Sequence, residues 1–225
     1  MRNKIKVVVG PVLFLGLISM AHAATPFPDV AIGPIFGTTG VGVQISTPIV
    51  PNYLNLTTGY STFGVNFHIT SDGQGYKAKL NLGGIPIYLS VFPFASNFHL
   101  DAGIFINQTR FDGLAVPGPN GTYRLNGTDY PAAEVGPLSS ETHFDKVAPY
   151  LGIGWGNPFI GSNWSFIANA GVILEGGART RISAPYLQSN PFAQGDIAQA
   201  ERAYNKSVSV MDAFPVVNLG FTYRF

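Results

Sequence analysis

Phe214-Pro-Val-Val-Asn-Leu-Gly-Phe-Thr-Tyr-Arg-Phe225 alternates to its last residue. Val217, Leu219, Phe221, Tyr223 and Phe225 share one face, and Asn218, Gly220, Thr222 and Arg224 share the other. A period of two marks a β-strand between two different environments. The pattern recurs upstream. Val147, Pro149, Leu151, Ile153 and Trp155 oppose Ala148, Tyr150, Gly152, Gly154 and Gly156. Trp164, Phe166, Ala168, Ala170 and Val172 oppose Ser165, Ile167, Asn169 and Gly171, and Phe98, Leu100, Ala102 and Ile104 oppose His99, Asp101 and Gly103. The apolar faces are continuous, and the other faces are small or polar. A soluble barrel would turn its apolar face inward and need charges outside, yet only 11% of the residues are charged, under half the usual quarter. The pattern fits a narrow barrel with lipid outside and a tight polar lumen.

The N-terminus reads as an address. Arg2, Lys4 and Lys6 precede the apolar stretch Val7–Met20, and Ala21-His22-Ala23 follows. These are the parts of a secretory signal peptide cut after Ala23. The stretch is shorter than the roughly 20 residues of a membrane helix. Residues 24–225 then form the barrel domain. Three of the 13 Lys and Arg leave with the leader and none of the 12 Asp and Glu, so ten cations remain and the mature net charge is −2. No basic patch argues for nucleic acid. The absence of Cys excludes a disulfide scaffold, a thiol enzyme and a Cys-ligated metal.

Expected strands run 28–35, 39–47, 52–69, 76–92, 97–109, 143–156, 163–184 and 213–225. The first is short and carries Gly33-Pro34, and it decides whether the count is even. The links at 48–51, 93–96 and 157–162 are short, and those at 110–142 and 185–212 are long. Short periplasmic turns and longer outer loops are the rule for such barrels, which places both termini in the periplasm. Phe98, Trp155, Trp164, Tyr223 and Phe225 then form an aromatic girdle at the periplasmic rim. Two strands change phase. Leu80 and Leu82 join the face of Ile85 and Ile87 only if Gly83-Gly84 holds a β-bulge, and a similar slip falls between Tyr60 and Phe63. Both strands exceed a bilayer crossing and project beyond it.

In the first long loop, turn signals at Asn126-Gly127 flanked by Tyr123, Leu125 and Tyr130 predict a small hairpin. In the second, Asn190 and Pro191 open a helix over 191–206. The polar faces place Lys77, Lys79, Asp101, Glu175, Arg179, Arg181 and Arg224 in the lumen, where charges pair and plug an eight-stranded bore. An excess of Lys and Arg at the outer end would favour anions if the bore were open. His68, His99 and His143 each have Ser or acidic neighbours, but no nucleophile–base–orienter set or metal-ligand spacing is readable. No catalytic residue, cofactor or metal is assigned.

The terminal strand resembles the assembly signal of Gram-negative outer-membrane barrels, with Leu219, Phe221, Tyr223 and Phe225 at its alternate positions. That resemblance implies recognition by the barrel assembly machinery. The chain from residue 24 on is similar to small eight-stranded barrels of the OmpA, OmpW and opacity-protein type. Val147-Ala-Pro-Tyr-Leu-Gly-Ile-Gly-Trp-Gly-Asn157 resembles a recurring strand of such proteins. The expectation is an all-β, eight-stranded antiparallel transmembrane barrel of the outer membrane, monomeric, in contact with lipid and lipopolysaccharide. Its expected role is structural or surface-interacting, without catalysis. The alternatives are a narrow channel for small or apolar solutes and, behind it, a lipid-modifying enzyme.

Overall fold

The computed structural model describes residues 29–71, 74–125, 127–176, 179–187, 191–208 and 213–225; the leader expected over residues 1–23 lies outside them. In chain order the strands are β1 (Ala31–Gly37), β2 (Gly40–Val50), β3 (Leu54–Ser71), β4 (Gln74–Val91), β5 (Phe98–Asn107), β6 (Arg110–Val116), β7 (Thr122–Leu125) and β8 (Thr128–Pro131). The short helix α1 (Ala132–Val135) leads to β9 (Ser139–His143), β10 (Val147–Trp155), β11 (Trp164–Leu174) and β12 (Arg179–Ser183). A 3₁₀ turn at Pro185–Leu187, helix α2 (Pro191–Val208) and β13 (Ala213–Arg224) complete the chain.

Eight strands close into an antiparallel ring in the order β1, β2, β3, β4, β5, β10, β11, β13 and back to β1. The short first strand is a full member, because β1 pairs with β2 on one side and with β13 on the other. Apolar side chains cover the outside: Leu100, Ile104, Leu151, Ile153, Val217 and Leu219 are all exposed. With strands of 9 and 11 residues, a rise near 3.3 Å and a tilt near 40°, this belt stands about 25 Å tall, the height of a hydrocarbon layer. Among the described residues no helix is long and apolar enough to cross a membrane.

Only the turn end of the ring is level. At the other end five strands continue upward as an antiparallel wall: the upper halves of β3 and β4, then β6, β9 and β12. β6 prolongs β5 and β9 prolongs β10 in unchanged register, with Ile85 opposite Ile106 and Asn81 opposite Arg110. From sequence, strands 97–109 and 143–156 are expected to flank a loop over 110–142. The interruption lies at Gln108–Thr109, where the Thr109 amide turns aside to donate to Asn107 Oδ1 at 2.8 Å.

The bulge expected at Gly83-Gly84 is absent. β3 and β4 stay in one register from Leu54–Val91 to Ser71–Gln74. What changes there is the surroundings. Below, outward positions are apolar and inward ones small or polar. Above, the same outward rows are polar (Asn81, Lys79, Lys77), and the inward rows carry Leu82, Leu80 and Tyr76, the last packed against a crown of loops. The hydrophobic phase inverts because the strand runs out of the apolar belt into polar surroundings while its geometry continues. A real slip falls elsewhere. Tyr150 pairs with Ile173, but His143 pairs with Arg179, one residue short of an unbroken ladder. The slip falls between Ile173 and Arg179, a stretch that includes Gly176 at φ +63°.

The crown packs on the inner face of the wall. Ala115, Tyr123, Val135, Leu138, Leu187 and Ile197 form its buried cluster. The expected hairpin is β7–β8, with Tyr123 opposite Tyr130, and the expected helix runs to Val208. Tyr130 donates to Asp196 at 2.7 Å, tying hairpin to helix; this bond, with partial burial, raises its phenol above the ordinary 10.0. Helix α2 also covers the free edge of β12. Asn205 Oδ1 accepts from the Thr180 amide and Glu201 Oε1 from the Ile182 amide, both at 2.7 Å. An open edge strand is a template for aggregation, and these two side chains cap it. Replacing Glu201 and Asn205 by alanine is expected to raise hydrogen exchange at the Thr180 and Ile182 amides at least tenfold, while amides in β10 keep their protection.

Candidate functional site: the closed lumen

Two layers of side chains fill the bore. The upper layer is aromatic and aliphatic: Tyr88, Phe105, Ala148, Tyr150, Ile173 and Val216, all buried. The Tyr88 and Tyr150 rings meet with centroids 5.4 Å apart. The glycine-rich inner faces make room for them. A Cβ on Gly103 would come within 2.6 Å of Tyr88 Cβ, one on Gly171 within 2.7 Å of Tyr150 Cε2, and one on Gly84 within 2.7 Å of Phe105 Cε1. The space left beside this layer is a cavity of about 20 Å³, lined in part by Ile35, Gln44, Thr57 and Ser61. It holds about one water molecule.

The lower layer, near the turn end, is a hydrogen-bonded plug. His99 Nε2 lies 3.0 Å from Asn169 Oδ1, and Asn169 Nδ2 donates to Tyr88 Oη at 3.3 Å, which joins the two layers. Ser90 Oγ donates to Asp101 Oδ1 at 2.7 Å. Asn55 Nδ2 donates to Asn157 Oδ1 at 3.3 Å, and Ser46 and Thr57 share a bond of 2.9 Å. Phe92, 1% exposed, folds in from the end of β4 and lies against the His99 ring, centroids 5.0 Å apart. The remaining cavity here is about 10 Å³. Asn55 Oδ1, Asp101 Oδ2 and Asn157 Nδ2 are buried without a protein partner. Higher up, Asn107 Nδ2 donates to Glu175 Oε1 at 3.0 Å and Thr142 bonds Thr180 at 2.8 Å.

Of the seven charges placed in the lumen from sequence, Asp101 and Glu175 are there, 2% and 4% exposed. Arg224 sits at the rim of the turn end and donates to Gly161 O and Asn163 Oδ1, both at 3.2 Å. Lys77, Lys79, Arg179 and Arg181 are instead exposed on the outer face of the wall. The lysines turn outward because the expected bulge is missing. The arginines turn outward because the slip beyond Ile173 reverses their parity. The reading of an anion-favouring bore therefore loses its basis, since the buried charged groups are carboxyls.

Phe98, Trp155, Trp164, Tyr223 and Phe225 all stand at the turn-end rim. Trp155 pairs with Phe98 and Trp164 with Tyr223. The Trp164–Tyr223 and Tyr223–Phe225 rings meet edge to face with centroids 5.0 Å apart.

Ser90, Asp101 and His99 look like the parts of a hydrolytic triad, but their order is wrong. The hydroxyl donates to the carboxylate, and the imidazole lies 3.7 Å from that same carboxylate. A triad needs the imidazole between the two, and a cavity of about 10 Å³ admits no substrate. His143 Nε2 reaches Glu141 Oε1 at 3.1 Å on the wall's outer face, and among the described residues no hydroxyl bonds its ring. No metal-holding cluster occurs among the described residues.

The fold has solved counterparts. Two crystal structures share this fold. Acinetobacter baumannii CarO2 superposes with TM-score 0.55 at 16% identity, covering 88% of this chain and 99% of that one. Acinetobacter baumannii CarO gives TM-score 0.54 at 18% identity, covering 88% and 98%. At such identity the likeness shows the fold alone. No protein-family model matches the sequence, and no curated protein does.

Proposed function

We propose that the chain is an outer-membrane β-barrel protein with a sealed lumen, whose crown is a surface-interaction platform. Residues 1–23 serve as a cleaved leader. Leu219, Phe221, Tyr223 and Phe225 are read by the barrel assembly machinery, and the finished barrel works as a monomer. An apolar belt of hydrocarbon height, with aromatics at one rim, supports the location. The observation that carries the closed-barrel reading is the pair of stacked layers, which leave cavities of only about 20 and 10 Å³. A hydrated ion needs a continuous wet path, and neither layer leaves one.

The expected result is no steady current from heat-modifiable, refolded protein in planar bilayers. A stable ion-selective current from the same preparation would replace this reading with the narrow-channel one.

A further inference from the structure

We propose that the outer face of the five-stranded wall is a binding site for the phosphates of lipopolysaccharide in the surrounding leaflet. The proposal rests on the outer-membrane reading above. Its starting point is register. The row Lys79, Asp112, Glu141, Arg181 crosses β4, β6, β9 and β12 directly, and Arg110, His143 and Arg179 form the row beneath it. Both continue the rows that carry Ile85, Ile106 and Val147 on the belt below. The outside of the protein thus changes from aliphatic to cationic within about two turns of the pleat.

Five of the ten Lys and Arg beyond residue 23 stand on this one face: Lys77, Lys79, Arg110, Arg179 and Arg181. Two are already engaged. Arg110 donates to Asp112 Oδ1 at 2.8 Å and also pairs with Glu141, and Arg179 approaches Asp145 at 3.8 Å. Lys77, Lys79 and Arg181 have no ion-pair partner among the described residues. The acids Asp112 and Glu141 sit at the centre of the row and occupy Arg110, which leaves the free cations on either side. An open cleft of about 450 Å³ lies over the β4 side, lined by His68, Lys77, Lys79, Arg110, Ser139 and Glu141 among others.

Cations at that height, above an aliphatic wall, complement an amphiphile with acyl chains below and several phosphates immediately above. A phosphorylated glycolipid has that form, with Asn66 and Ser139 available to its sugars. The face points away from the lumen, so a solute in transit would not meet it. Charge-assisted contacts of this kind strengthen as water is excluded between protein and lipid head.

The test compares the wild-type barrel with Lys77→Gln/Lys79→Gln/Arg181→Gln and with Arg202→Gln, a cation on α2 off this face. Each is refolded into phosphatidylcholine vesicles containing either bisphosphorylated or dephosphorylated lipid A, and bound glycolipid is counted by native mass spectrometry. At about fivefold per cation, the triple variant is expected to bind the bisphosphorylated lipid about a hundredfold more weakly. Arg202→Gln should match wild type, and the dephosphorylated lipid should bind wild type as weakly as the triple variant. Equal retention by the triple variant, or equal binding of both lipids by wild type, overturns the site. Displacement by a few millimolar inorganic phosphate would assign the face to free phosphate and overturn the lipid assignment. Failure of wild type to insert as a heat-modifiable barrel overturns the outer-membrane reading itself, a result distinguishable from an inserted barrel that ignores the phosphates.

Discussion

Removing Tyr88, Tyr150, Phe92 and His99 together, each to alanine, is expected to turn a silent barrel into a cation-selective pore, while either pair alone stays silent. The reason is that the two layers act in series. Tyr88→Ala/Tyr150→Ala opens the upper layer onto the plug, where His99, Asn169, Asn55, Asn157 and Phe92 still span the bore. Phe92→Ala/His99→Ala opens the turn-end mouth onto an intact aromatic layer. Only the fourfold variant joins the two cavities into one wet path. Once water enters, the charged groups exposed to it are Asp101 and Glu175, so cations should pass in preference to anions. Each aromatic truncation costs about 3–5 kcal/mol, so heat-modifiable migration must accompany the recording. A pair of double variants that conduct as well as the fourfold one would show that the layers are not separate seals. The lower layer is the easier to loosen, because three of its buried polar atoms have no protein partner and such atoms cost stability.

The strands that cross the apolar belt were legible in the sequence because each has one environment per face along its whole length. Phe214–Phe225 is the clearest case, and β13 covers all of it but Phe225. The wall is not legible from sequence because its strands change environment midway. Leu80 and Leu82 occupy the parity of Tyr88 and face inward, but in the sequence they look like part of the lipid face shifted by one residue. A bulge and a change of solvent leave the same trace in an alternating pattern. The two separate only when register is known, and the register shows no slip at Gly83. The reverse error placed Arg179 and Arg181 in the lumen: the sequence there counts evenly from Glu175, and the slip near Gly176 has no hydrophobic signature. The upper strands β6 and β9 did leave a signal. Arg110 and Asp112 alternate with Phe111 and Gly113, the inverse of the phase in β5, and the break at Gln108–Thr109 hid the continuity. The plug itself could not be read, because His99, Asn169 and Tyr88 come from three strands and meet only when the ring closes.

That closure depends most on Gly33, and replacing it by alanine is expected to prevent a heat-modifiable barrel from forming. The seam between β1 and β13 rests on a short strand, since β1 has 7 residues. Its ladder runs Ala31–Arg224 and Ile32–Tyr223, then resumes at Ile35–Gly220, leaving Gly33 and Pro34 between two short paired stretches. Proline has no amide hydrogen to give there. The strands approach closely at this gap. A Cβ on Gly33 would strike the Phe221 carbonyl oxygen and lie 2.7 Å from both the Phe221 carbonyl carbon and Thr222 Cα. These are backbone atoms, so no side-chain rotation relieves the contact. Pushing β13 away would strain both paired stretches, along with the Thr38 amide bond to Val217 O at 3.0 Å and the Phe225 amide bond to Val30 O at 3.0 Å. An opened seam in lipid leaves amides and carbonyls unpaired at several kcal/mol each, more than a small barrel can absorb. Because the clash is at Cβ, Gly33→Ala should be nearly as damaging as Gly33→Val. Gly195→Ala is the control: its Cβ meets nothing within 4 Å, and it should fold with α2 stabilised by up to about 1 kcal/mol. Refolding yield and urea midpoints in lipid vesicles read the difference, and a Gly33→Ala barrel with the wild-type midpoint would show that the seam closes by another route.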